Sequence, residues 1–187
     1  MQRHHFHHQP FSWVQGCWIA IGLLLFAGSI LAGQADGGNL VGVAKPLGLI
    51  MMTAGIINMV VCVAKYHQMD GARWLIADSM AAMLLSIFPL FNQMSMPILI
   101  PFFFGMWELF SGIVKVIDSL ELKEDHMKCW LGFALIGWVE LASGTASLIK
   151  PLDDLVGMER VVSIIFFVQS CGFFLKATMY RYLIQKG

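Results

Sequence analysis

Six apolar stretches, each about as long as a bilayer is thick, divide this chain. They run from about Phe11 to Gly33, Gly42 to Lys65, Ala72 to Phe91, Met96 to Asp118, Cys129 to Ile149 and Val161 to Ile184. A helix needs roughly 20 mostly apolar residues to cross the hydrocarbon layer. The breaks carry turn chemistry: GQADGGN, HQMDGAR, FNQMSMP, SLELKEDHMK and KPLDDLVGMER. None is long enough to hold a separate domain. Backbone inside hydrocarbon must satisfy its own hydrogen bonds, so stretches of this length are helices. The expected fold is all-α and integral to a membrane, with residues 1–10 a His-rich tail and 11–187 one six-helix domain. Only 13% of the residues are charged, about half the share usual in a soluble domain. The net charge of zero shows no nucleic-acid footprint.

The first stretch resembles a leader in having Arg3 before it and small residues after it. Its length and its place in an internal repeat identify it instead as the first membrane helix. Lys and Arg then set the orientation. Arg3, Lys65, Arg73, Lys115, Lys123, Lys128, Lys176, Arg181 and Lys186 fall on one side, against Lys45, Lys150 and Arg160 on the other. The positive-inside rule puts both termini in the cytoplasm.

The repeat shows in the tryptophans. Trp18, Trp74 and Trp130 stand 56 residues apart, each opening an odd-numbered helix where an interfacial ring is expected. Equal spacing points to a triplicated helical hairpin, with units at about 11–65, 72–118 and 129–184. The even helices agree. Gly48 and Gly55 recur as Gly105 and Gly112, and the last unit keeps Gly172. A seven-residue spacing puts both positions on one helix face. Small residues there let helix backbones approach, the usual source of association energy in membranes. The units enter the membrane in parallel, unlike the inverted pairs of many transporters.

Three hairpins, each a Trp-led helix followed by a Gly-x6-Gly helix, resemble the HdeD family of acid-resistance membrane proteins. The stretches WLIADSMAAMLLSIFPLFNQMSMPILIPFFFGMWELFSGIVKVIDSLELK and WLGFALIGWVELASGTASLIKP carry the likeness, which covers about Trp18 to Tyr180. The resemblance implies a multi-pass inner-membrane protein linked to survival of acid stress. It brings no catalytic motif, and no enzyme signature stands out in the chain.

Two segments share one local frame: GMWELFSG at 105–112 and GWVELASG at 137–144. Each sets a glutamate, Glu108 or Glu140, between glycines on one helix face, with Gly137 and Gly144 repeating the pattern of Gly105 and Gly112. Both glutamates are 16 residues from Glu124, which in an antiparallel pair implies matching depth near mid-membrane. A charge there costs several kcal/mol, so such groups face the bundle interior or pair. At least one of the two is expected to be protonated at neutral pH, since desolvation disfavours the charged form; if they touch they titrate as a coupled pair, and alternatively Glu108 reaches Lys115 on its own face. Three roles fit: a structural lock, a proton-responsive element, or an ion or solute path. A transporter or a scaffold for other membrane proteins are the competing classes. Asp78, Asn58, Gln169 and Lys176 are further polar candidates. Asp78 lies one turn inside Trp74, within reach of interfacial water, and Lys176 is long enough to snorkel. Met51 takes the matching place in the second helix, so the hairpin itself needs no carboxyl.

His4, His5, His7 and His8 could ligate a metal through imidazole, or charge in acid. A tail with no role is the simpler expectation, so no metal or cofactor is assigned. The four cysteines form no CxxC pair. The expected partners are the lipid bilayer and further copies of the chain or other membrane proteins.

Overall fold

The computed structural model describes residues 12–35, 40–68, 72–91, 99–124, 130–149 and 157–183. Among the described residues six α-helices follow one another, with one 3-10 turn at Tyr66–Gln68 after the second: α1 (Trp13–Gly33), α2 (Leu40–Ala64), α3 (Ala72–Phe91), α4 (Leu99–Glu124), α5 (Trp130–Leu148) and α6 (Met158–Leu183). All six are long and apolar enough to cross a membrane. The His-rich tail and Cys129 lie outside the described residues.

Local chemistry sets the helix ends. Ser12 caps α1: its hydroxyl accepts from the Val14 N–H, while the Gln15 side chain accepts from the Ser12 N–H. Such a capping box satisfies two otherwise orphaned donors. Gly157, at φ +33°, precedes α6, and its carbonyl accepts from the N–H groups of Arg160 and Val161. α6 therefore starts three residues before the expected Val161, with Glu159 complementing the positive end of the helix dipole. α4 runs on past the expected end at Asp118, through SLELKE. That segment is made of good helix formers. Its Leu122 is buried with Phe133 beneath Trp130, Leu175 and Met179.

The outer surface identifies the solvent. Leu23, Val60, Leu84, Ile113, Trp138 and Phe167, one from each helix, all lie exposed. Inside are Asp78, Glu108, Lys115, Asp118, Glu140 and Lys176. A bundle with large apolar side chains outside and charges within suits lipid, not water. Exposed hydroxyls are satisfied within their own helices, as in the 2.7 Å bonds from Thr53 to the Leu49 carbonyl and from Thr145 to the Leu141 carbonyl. The chain is a multi-pass membrane protein.

The helices close into a ring. The closest interfaces join α2 to α3, α4 to α5 and α6 to α1, with thinner contacts within each hairpin and α4 meeting α6 inside. The repeat units are thus stitched together chiefly by the even helix of one packing on the odd helix of the next. The glycines show why. A Cβ on Gly112 would lie 2.9 Å from both the Gly137 carbonyl oxygen and the Leu141 nitrogen, and one on Gly144 would lie 2.8 Å from the Leu109 nitrogen. Gly105 and Gly137 pack in the same seam, Gly137 against the Val116 nitrogen at 3.0 Å. On α2, a Cβ at Gly48 would meet Pro89 at 2.9 Å and one at Gly55 the Ser79 carbonyl oxygen at 3.2 Å. α1 contributes two glycines that the repeat pattern did not mark, Gly22 and Gly28, beneath the rings of Phe174 and Phe166.

Replacing Gly144 by Val should therefore force α4 and α5 apart and cost about 1–3 kcal/mol or more, as overpacking does. Gly132→Ala should be close to neutral, because its Cβ would meet the flexible end of Met179 at 3.1 Å. Thermal melts of both variants in one detergent check the contrast.

Candidate functional site

The seam between α4 and α5 fixes a charge network. Residues 108, 111, 115 and 118 of α4 follow a helical 3–4 spacing, and Glu108, Ser111, Lys115 and Asp118 are all buried. Lys115 Nζ lies 2.6 Å from Glu140 Oε1 and 2.7 Å from Oε2, straddling the carboxylate. It also donates to Ser111 Oγ at 2.6 Å and to Gln169 Oε1 of α6 at 3.5 Å. Ser111 Oγ in turn donates to Gln169 at 3.4 Å. One ammonium thus ties α4 to α5 and α6. Gly172, expected as a packing glycine, serves this pair instead of a helix backbone. A Cβ there would meet Lys115 Cε at 3.0 Å and Glu140 Oε1 at 3.2 Å.

Glu108 does not pair with Lys115. Its Oε1 accepts a 2.9 Å hydrogen bond from Ser143 on α5. Nor do the glutamates share one depth. Gly112 faces Glu140, whereas Ser143 and Gly144 face Glu108 and Leu109. The two carboxyls are therefore offset by one turn, about 6 Å. α4 remains helical through Glu124, so that residue is not the point of symmetry between the two helices, and the glycine seam sets their register.

A second pair lies nearby. Lys176 Nζ is 3.8 Å from Asp78 Oδ2 and 4.7 Å from the Phe173 ring centre. Neither residue reaches the surface as the sequence suggested. Asp78 points into the bundle because it sits on the buried face of α3 with Leu75 and Ser79. Lys176 is held on the inner face of α6, where Asp78 faces it. A small cavity of about 10 Å³, lined by Asn58, Asp78, Ser79, Trp107 and Phe173 among others, borders Asp78. That is about the room one water molecule needs. Asp78 Oδ1 has no protein partner there.

Trp18 also departs from expectation. It is fully buried, not interfacial, and its indole N–H donates to Asn58 Oδ1 at 3.1 Å. Asn58 donates onward to Ser79 Oγ at 2.8 Å. A buried indole keeps its N–H partnered, and here an amide takes the place of interfacial water. Trp74 and Trp130 lie nearer the rim: Trp74 donates to Glu121 at 3.3 Å, and Lys123 stands 5.0 Å over the Trp130 ring. Each even helix now shows one polar group three or four residues beyond its second glycine, namely Asn58, Lys115 and Lys176. Asp118 was missed, though its position three residues after Lys115 on the same face marked it. Ser143 was missed because a serine carries little weight in an apolar run.

Among the described residues, no three His, Cys, Asp or Glu side chains are grouped to hold a metal ion. The buried polar groups instead form three local sets: Lys115 with Glu140, Ser111 and Gln169; Glu108 with Ser143; and the Asp78–Lys176 ion pair. Ionisable groups inside a membrane bundle mark proton or ion sites. No family model matches the chain, and neither a curated protein nor a solved structure matches it.

Lys115→Met should cost about 3–5 kcal/mol, because it strands Glu140 in the interior, while Lys115→Met with Glu140→Leu should recover most of that loss. Melting temperatures of the native chain and both variants, measured in one detergent at one pH, check the loss and its recovery.

Proposed function

We propose that this protein supports tolerance of acid or envelope stress through a proton-responsive helical bundle centred on Glu108 and Glu140. The observation that carries the reading is the bidentate pairing of Lys115 with Glu140, one turn from a Glu108 whose bonding partner is a hydroxyl, not a cation. A proton arriving at Glu140 cancels the charge that holds Lys115 between three helices. The bundle then has a reason to repack: an unpaired ammonium in a low-dielectric interior costs several kcal/mol. The likeness to acid-resistance membrane proteins supports the physiological role.

The setting is a plasma (inner) membrane with both termini cytoplasmic. Two of the nine lysines and arginines counted on that side, Lys115 and Lys176, are buried in the bundle. The remaining seven still outnumber the three on the other side, and the positive-inside rule applies to residues near the helix ends.

The test is survival of a deletion host after strong acid challenge. The host would carry the native chain, Glu108→Gln, Glu140→Gln or both changes, at equal membrane levels. Rescue by the native chain and loss of at least tenfold in survivors with the double variant are expected. Equal rescue by every version would make the glutamates structural only.

A further inference from the structure

The buried charges are distributed on one side of the bundle. Glu108 and Glu140 lie near the middle of their helices. Asp78 lies in the first half of α3, while Lys115, Asp118 and Lys176 lie in the C-terminal halves of α4 and α6. In an alternating bundle these are the same half, the one that holds the C-terminal ends of α2, α4 and α6. Exposure falls with depth along it: 8% for Asp118, 4% for Asp78, 1% for Lys115 and Lys176, and none for Glu108 and Glu140. Ten residues of helix separate Asp118 from Glu108, about 15 Å, or half the hydrocarbon thickness.

The other half is closed by apolar packing. Phe104 and Phe166 meet edge to face at 5.1 Å, and Trp107 meets Phe166 at 5.8 Å. Leu25, Leu47, Ile100, Val162 and Ile165 complete this layer, all essentially without exposure. Its buried hydroxyls are already bonded, Ser29 to Ser163 and Ser86 to the Met83 carbonyl. The water-sized cavity beside Asp78 stops at Trp107.

We infer that the charge network is a proton-access half-channel, open to the compartment that the C-terminal ends of α2, α4 and α6 face and sealed from the other by Phe104, Trp107 and Phe166. Protons enter at Asp118, pass the Asp78–Lys176 pair, where Asp78 borders the water-sized cavity, and reach Lys115–Glu140, with Glu108 as the inner terminus. The groups facing this route are Cys62 and Asn58 from α2, Asp78 from α3, Glu121, Asp118, Lys115 and Glu108 from α4, Glu140 from α5, and Gln169 and Lys176 from α6; α1 faces it with Trp18. The protein then reports the acidity of one compartment and carries no proton current between two. This rests on the proton-responsive reading but adds its sidedness, which that reading leaves open.

Two measurements test it on the full chain reconstituted in vesicles of one orientation. In the first, the carboxyl infrared band is followed while pH is stepped on one side at a time, with Glu108→Gln and Glu140→Gln to assign the signal. A response to the C-terminal side of the even helices alone is expected. A response to the opposite side, or equally to both, overturns the half-channel. A silent band with both sides acidified overturns the proton-responsive reading and the half-channel with it. In the second, an entrapped pH dye reads proton entry. The native chain should match empty vesicles, whereas Phe104→Ala and the milder Phe166→Leu should leak at least tenfold faster, and Glu108→Gln added to Phe104→Ala should suppress the leak. Conduction by the native chain, or leaks in seal variants that ignore Glu108, would refute the assignment.

Discussion

Lys115 can reach Glu140 from a neighbouring helix because α4 and α5 touch backbone to backbone. Gly112 against the Gly137 carbonyl and Gly144 against the Leu109 nitrogen bring the two axes close and hold them in one register. Any side chain in that seam would move the ammonium away from the carboxylate. In a medium with no water to solvate either group, separation is expensive. Gly172 contributes on the third side by leaving room for Lys115 Cε. The glycines, read from sequence as packing devices, are equally the means by which a bilayer-embedded ion pair is tolerated.

The rest of the interior follows from the same economy of polar groups. Asn58 joins Trp18 to Ser79, tying α1, α2 and α3 as Lys115 ties α4, α5 and α6. Membrane hydrogen bonds are individually modest, commonly about 0.6 kcal/mol. Their larger effect is on specificity, since each fixes which faces meet and at what height.

Much of the architecture was legible because hydrophobic length is the strongest signal a membrane chain gives. The spans of α1, α3 and α5 fall within a few residues of those read from sequence. The glycine spacing marked residues of the α4–α5 seam without saying which helices meet there, and the recurring Gly-x-x-Glu frame marked Glu108 and Glu140 among the four buried carboxyls of the described residues. What escaped was pairing. Lys115 lies on the same helix face as Glu108, yet its partner is on α5, because the glycine seam sets the register there and not symmetry about Glu124. Trp18 carried the same repeat position as Trp74, but only Trp18 has an asparagine facing it across the bundle. Equivalent positions in a repeat acquire different surroundings once the ring closes.

That closure bears on how the protein is made. α1 packs mainly on α6, and the bond from Ser170 to the Gly22 carbonyl spans 148 residues. Domains are synthesised from the N-terminus onward, so the first helix enters the membrane long before its principal partner exists. Until α6 arrives, Gly22, Gly28 and Ser29 face lipid or a temporary companion. Gln15 bonds the Ala177 carbonyl at 3.1 Å, bringing the start of the first helix beside the last. The ring therefore has a seam in time but none in space, and joining its ends while opening another loop would change the order of assembly and leave the finished bundle the same.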